Sequence, residues 1–245
     1  MPDEIAQAAI EYCCKSVALT YNDPIVFLEY GRDVALECRR RGIKVVAVTS
    51  GFINKEPREA LFSCIDAANI DLKAFTASFY RKLTGGDLQT VLELLTYLRG
   101  NTNIWLEITT LLIPGENDTS SELSALSKWV LTELGPDTPI HFSAFHPDYK
   151  MMHLPATPLK TLVKARNIAL EQGLRYVYTG NVHYPPGDTT FCKTCTATLI
   201  ERDWYRLSTY NITTDGRCNQ CGTSVAGHFA PQPGTWGAKR KPIQI

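Results

Sequence analysis

No run of this sequence is apolar for long enough to cross a bilayer. The longest, residues 104–114, is interrupted by Glu107 and falls well short of the roughly 20 residues that a spanning helix needs. An excess of either charge is missing too, because 25 basic residues face 25 acidic ones. That balance gives no whole-protein electrostatic reason to expect nucleic acid or an anionic membrane as a partner. The first residues, MPDEIAQAAIEY, are polar with a helical pattern and are not an export signal. The expected location is therefore cytoplasmic. Internal repeats and low-complexity tracts are absent as well.

What is present suits a globular protein: 245 residues, 44% apolar and 20% charged, enough for one sizeable domain with a small appendage. Up to about residue 180, helix and strand patterns alternate. Helices are expected over 3–14, 25–41, 57–65, 78–83, 87–99, 119–134 and 159–172. Gly42 and Gly173 act as stops, and Thr119-x-x-Glu122 opens its helix as a capping box. Strands are expected over 16–21, 44–49, 67–72, 104–112, 140–145 and 175–178. Strands rich in Val, Ile and Ala, separated by helices, indicate parallel βαβ units. Such a sheet needs cover on both faces, which leaves a doubly wound sheet or a barrel.

Eight cysteines are many for a protein without an export signal. Cys13, Cys14, Cys38 and Cys64 are scattered, and Cys38 and Cys64 read as buried apolar residues. The other four form two pairs, Cys192-x-x-Cys195 and Cys218-x-x-Cys221, separated by 22 residues. Two such knuckles can close a tetrahedral four-thiolate site, for which zinc is the natural occupant. Strands over 199–208 and 210–213 with a turn at Asp215-Gly216 complete the reading as a zinc ribbon. Four thiolates leave no open position, so the site reads as structural. The segment after Ala230 is rich in Pro, Gly and basic residues and reads as a tail.

In parallel α/β folds chemistry sits at the carboxyl ends of the strands. There this sequence places Asn22-Asp23-Pro24, Ser50-Gly51, Asp71-Leu72-Lys73, Thr110, His146-Pro147-Asp148-Tyr149 and Gly180-Asn181. Asp71 and Lys73, two apart in a strand, point to one face. Together they can grip a zwitterion, or simply pair with each other. Asn22-Asp23-Pro24 is also a common turn and helix start, and His146 can be an ordinary loop residue. Glu107 faces either a polar interior wall or solvent. The recurrence of polar groups at one end of successive strands favours a site.

The ordered set TYNDP (20–24), TSG (49–51), DLK (71–73), TTLLIPG (109–115), HFSAFHPDY (141–149) and YVYTGNV (176–182) resembles the radical S-adenosylmethionine (SAM) enzyme of the AmmeMemoRadiSam system, related to pyruvate formate-lyase activating enzymes. The resemblance covers nearly the whole chain, terminal CxxC pairs included. It implies an α/β fold: a partial (β/α)6 radical SAM barrel over 1–185, a zinc ribbon over 186–230 and a tail over 231–245. It implies that Asn22 and Asp23 lie in the segment that binds the SAM amino group. Ser50, Asp71, Lys73 and His146 would line the same pocket. The family usually has Glu at the position of Asp23 and Asn at that of Ser50. It also requires three thiolates, mostly spaced CxxxCxxC, to hold a 4Fe–4S cluster that cleaves SAM to a 5′-deoxyadenosyl radical. Thiolates are the ligands because soft sulfur suits iron–sulfur clusters. No CxxxCxxC occurs here, so the resemblance implies a barrel without its first strand and cluster loop, both expected upstream of Met1. Three readings follow. The first is a radical SAM enzyme whose catalytic residues and substrate are unassigned, with a protein substrate and a functional link to the two other proteins of the system among the implied partners. The second is a non-catalytic barrel and ribbon that binds partners. The third is a nucleic-acid-binding ribbon, which the neutral charge disfavours.

Overall fold

The computed structural model of the protein describes residues 1–243. The predicted tail reaches beyond that limit, so its last two residues lie outside the described ones. The chain divides into two units, Met1–Thr110 together with residues 242–243, and Leu111–Lys241.

The first unit begins with α1 (Pro2–Glu11), whose proline and two acidic residues suit a helix start. It continues through β1 (Ser16–Leu19), α2 (Leu28–Arg40), β2 (Lys44–Thr49), α3 (Lys55–Phe62) and β3 (Ala67–Asp71). After the short helix α4 (Ala77–Phe79) the chain widens into a π-turn at Tyr80–Thr84, then forms α5 (Leu88–Asn101). Strand β4 (Trp105–Leu112) crosses the division. In α2 the residues Gly31, Val34, Ala35 and Cys38 form the buried stripe of an amphipathic helix. In β2, β3 and β4 every second residue is buried, including Val45, Ala47, Ala68, Ile70, Leu106 and Ile108, and the residues between them are only partly buried or exposed.

The second unit holds α6 (Ser120–Trp129), which continues as a π-turn over Val130–Leu134, then β5 (Ile140–Ala144), α7 (Leu159–Gln172), β6 (Val177–Gly180) and the short α8 (Pro185–Asp188). The Thr119 cap forms, with Thr119 Oγ1 accepting the Glu122 N–H at 3.3 Å. Helix α7 has the predicted bounds and stops at Gly173, whose φ of 108° only glycine adopts freely. Two buried side chains finish strand ends in this unit. Asn117 accepts the Ile113 N–H at 2.7 Å and donates to the Leu111 carbonyl at 2.9 Å. Thr157 donates to the Leu112 carbonyl at 2.5 Å and accepts the Phe145 N–H at 3.0 Å.

The six long strands form one parallel sheet in the order β1-β2-β3-β4-β5-β6. A doubly wound sheet reverses its strand order at a switch point. This order has no reversal, which is inconsistent with a doubly wound sheet and consistent with a partial barrel. Among the described residues no helix is long and apolar enough to cross a membrane.

Three sequence expectations shift. The helix expected from residue 25 starts at Leu28 because residues 24–27 form turns, the first closed by Asp23 Oδ1 accepting the Ile25 N–H at 3.1 Å. The sixth strand runs Val177–Gly180 rather than 175–178, and Tyr176 instead joins the apolar core of the ribbon. The strand expected over 199–208 is a hairpin, β8 (Thr198–Asp203) and β9 (Arg206–Tyr210), joined through Trp204 at a φ of 53°. A short β7 (Thr190–Phe191) pairs with β8 to complete a three-stranded antiparallel sheet. Of the second expected ribbon strand, Ile212 makes an isolated bridge to Cys218.

Candidate functional site

At the carboxyl ends of β1 and β2, one carboxylate organises two loops. Asp23 accepts four hydrogen bonds: Thr49 Oγ1 at 2.6 Å, Ser50 Oγ at 2.6 Å, Ser50 N–H at 2.8 Å and Ile25 N–H at 3.1 Å. A carboxylate offers about four lone-pair directions, so this one is fully occupied. Burial alone would raise the Asp23 pKa. The bonds from Ser50, Thr49 and Ile25 outweigh it and hold the carboxyl below its usual range. The Ser50 hydroxyl gives its proton to Asp23, so its oxygen faces other groups as an acceptor. Asn22 beside it is exposed. The following Gly51 has a φ of 71°, and a Cβ there would lie 2.8 Å from Ile70 Cγ2 and 3.2 Å from Leu94 Cδ2. The tight turn that presents Ser50 therefore needs glycine.

At the end of β3, Lys73 Nζ lies 2.6 Å from Asp71 Oδ2, with both side chains about a third exposed or less. The backbone here is held by side chains. Thr110 Oγ1 donates to the Leu72 carbonyl at 2.8 Å, and the Lys73 N–H donates to the Tyr80 phenol at 3.1 Å. Burial pushes the Tyr80 pKa up to about 12, so the phenol stays protonated near neutrality. The partly buried residues of β3 and β4 continue this polar character: Asn69 stands opposite Glu107 and Asp71 opposite Thr109. Thr109 Oγ1 donates to Asn69 Oδ1 at 2.8 Å, and Glu107 accepts the Trp105 indole N–H at 2.8 Å. Glu107 is thus part of a polar strand face. Asn69, Thr109 and Tyr80 were not legible as candidates in the sequence. For Asn69 and Thr109, the period-two alternation from Asp71 and Glu107 was the available signal.

In the second unit His146 follows β5 and is exposed, with Nδ1 3.0 Å from Asp148 Oδ2. Asn181, after β6, has a φ of 60° and donates to the Ala144 carbonyl at 3.1 Å.

The ribbon brings together the four predicted cysteines. Sγ atoms of Cys192 and Cys221 are 3.6 Å apart, those of Cys195 and Cys218 are 3.7 Å apart, and all four lie within 4.8 Å of one another. Tetrahedral zinc with bonds of ~2.3 Å spaces its sulfurs by about 3.8 Å, so the group fits such an ion. Both knuckles end in a left-handed residue, Thr196 at a φ of 59° and Gly222 at 72°. Their backbone N–H groups return to the Cys192 and Cys218 carbonyls at 3.0 and 2.9 Å.

Outside the ribbon the cysteines present do not fit an iron–sulfur cluster. Cys13 and Cys14 precede β1, Cys38 is buried in α2, and Cys64 is buried just before β3. All four therefore sit away from the carboxyl strand ends that carry Ser50, Asp71 and Lys73.

Comparison with known proteins agrees with the winding. Residues 1–125 match the radical SAM superfamily. The chain belongs to that superfamily. An uncharacterized protein from Methanocaldococcus jannaschii is 42% identical over 225 residues, covering 91% of this chain and 66% of its own length. The chain thus spans 66% of that relative. A domain of a pyruvate-formate lyase-activating enzyme from Bacteroides vulgatus superposes with a TM-score of 0.59 at 17% identity, covering 68% of this chain and 99% of that one. A radical SAM methyltransferase from Sphaerobacter thermophilus gives 0.53 at 14% identity, covering 75% of this chain and 55% of the other. At such identities the two structures speak to the fold alone.

Proposed function

We propose that residues 1–185 are the SAM-binding partial (β/α)6 barrel of a radical SAM enzyme of the AmmeMemoRadiSam type, and that residues 186–230 are its zinc ribbon. The observation that carries this reading is the pair of polar clusters at the carboxyl ends of β1 to β3. SAM presents an ammonium and a carboxylate on one carbon. Ser50 Oγ, its proton committed to Asp23, accepts from an ammonium. Asp71 and Lys73, side by side at 2.6 Å, answer both charges of the amino-acid end. In this reading Asp23 acts by fixing Ser50, while Asn22 and His146 are further cofactor contacts taken from the family resemblance. Bound SAM supplies the source of a carbon-centred radical. Its reductive cleavage needs an iron–sulfur centre, which the eight cysteines here do not form, so those ligands would have to come from outside these 245 residues. The same resemblance implies a functional link to the two other proteins of that system.

Calorimetric titration with S-adenosylhomocysteine tests the reading. We expect saturable one-site binding, lost in the double variant Asp71→Asn/Lys73→Met. Absence of binding in the unaltered chain, or equal binding in the double variant, would sink it. The lack of cluster ligands also favours a second reading, in which these residues bind SAM or a partner without catalysis. Anaerobic iron–sulfur reconstitution of the chain should then leave no iron bound beyond the four-cysteine site.

A further inference from the structure

The carboxyl end of β3 leaves the sheet ladder before its two charged residues are finished. Its last paired residue is Asp71, opposite Thr109. The next backbone groups need partners that no strand supplies. Thr110 takes the Leu72 carbonyl. The Lys73 N–H turns to the Tyr80 phenol at 3.1 Å. Tyr80 is 3% exposed and makes this reach from outside the strand.

Its reach depends on an irregular piece of helix. Tyr80 opens the π-turn Tyr80–Thr84. A π-turn inserts a residue into the helical spiral and re-aims the side chains next to it, and such turns concentrate at functional sites. This one is pinned at both ends. Thr84 Oγ1 donates to the Tyr80 carbonyl at 2.8 Å, the Gly86 N–H reaches the same carbonyl at 3.3 Å, and Gly85 closes the turn at a φ of 69°.

We propose that Tyr80 is a positioning residue for amino-acid recognition: its phenol fixes the Lys73 backbone, so that Asp71 and Lys73 meet a zwitterionic ligand as one preset pair. The inference rests on the reading that SAM binds at these strand ends. It adds that discrimination for the amino-acid end of the ligand, as distinct from its adenosine end, runs through a side chain that touches neither. Removing the phenol oxygen takes this hydrogen bond from the Lys73 N–H, and the Asp71–Lys73 pair loses one restraint on its spacing.

Two probes separate the effects. S-adenosylhomocysteine and 5′-methylthioadenosine share a thioether and adenosine, and only the first carries an ammonium and a carboxylate. Both are titrated calorimetrically into the full chain, unaltered and as Tyr80→Phe. We expect Tyr80→Phe to weaken S-adenosylhomocysteine about tenfold and 5′-methylthioadenosine less than about twofold. In a Lys73→Met background Tyr80→Phe should cost little more, because its effect passes through that residue. Thr84→Ala, which frees the far end of the π-turn, should act in the same direction at about threefold. This second variant keeps the test open if Tyr80→Phe folds poorly. Equal weakening of both probes, no weakening, or full additivity with Lys73→Met overturns the proposal while leaving the SAM reading standing. Failure of the unaltered chain to bind either probe overturns both together.

Discussion

The amino-terminal unit and the ribbon solve the same problem by different means. The first unit buries Val34, Val45, Leu61, Ile70, Leu94, Leu95 and Ile108 almost completely, and its polar side chains are then fixed by hydrogen bonds that converge on Asp23 and Tyr80. The core cluster of the ribbon is small: Leu199, Ile200, Ile212 and Val225 around Tyr176, with Cys192 and Cys218 among the buried residues. A module of this size buries little apolar surface to set against its chain entropy, and a structural metal held by the four cysteines would make up the difference. One unit thus carries its polar side chains on a broad apolar core, and the other gathers four thiolates beside a small one. Tyr176 links the two solutions inside the second unit. It precedes β6 in the sequence, packs in the ribbon core, and its hydroxyl accepts the Ala226 N–H at 3.3 Å.

The largest expected effect breaks the ribbon alone. Structural zinc in comparable four-ligand sites contributes on the order of 10 kcal/mol of folding free energy. Protein purified without chelator should hold about one zinc per chain, and Cys195→Ser with Cys218→Ser should remove most of it and unfold the β7–β9 sheet. Retention of more than half the metal in that double variant would contradict the assignment. Next comes Gly51→Ala. The added Cβ meets Ile70 and Leu94 at close range, and the positive φ disfavours any side chain, so we expect a loss of about 2–4 kcal/mol in urea unfolding. A change below ~0.5 kcal/mol would mean that the β2 turn relaxes freely.

The smallest effect sharpens the comparison through pH. Asp23 has its folded pKa held below the unfolded value by Ser50, Thr49 and Ile25, against the opposing effect of burial. Its contribution to stability is therefore present above the unfolded pKa and is lost as pH falls through the folded one. Asp23→Asn should flatten the acid limb of the stability curve for the first unit and leave zinc content untouched. An acid limb identical to that of the unaltered protein would show that the four hydrogen bonds contribute no charge-dependent stability.

At several places where the controlling interaction was short-range, the sequence was enough. The Thr119 cap, the Gly173 stop and the bounds of α7 depend on backbone groups within one helical turn. The two CxxC knuckles depend on ligand spacing that a metal imposes. Parallel strands with intervening helices followed from composition and period, and their sequential order was the added fact that chose barrel winding over double winding. The hairpin at Trp204 was missed for a physical reason: its two central turn residues, Trp204 and Tyr205, are not the glycine, asparagine or aspartate that ordinarily accept a positive φ, and pairing of β8 with β9 holds the turn instead. The role of Asp23 could not be read from its own neighbourhood, because three of its four bonds come from residues 26 and 27 positions away. Tyr80 was invisible for the same reason as any buried tyrosine, since only the π-turn shows where its hydroxyl goes. By itself the sequence determined which residues are chemically able to act. The tertiary structure decided which lone pairs and protons are already taken, because a hydrogen bond between distant strands exists only once the sheet has brought its partners within 3 Å.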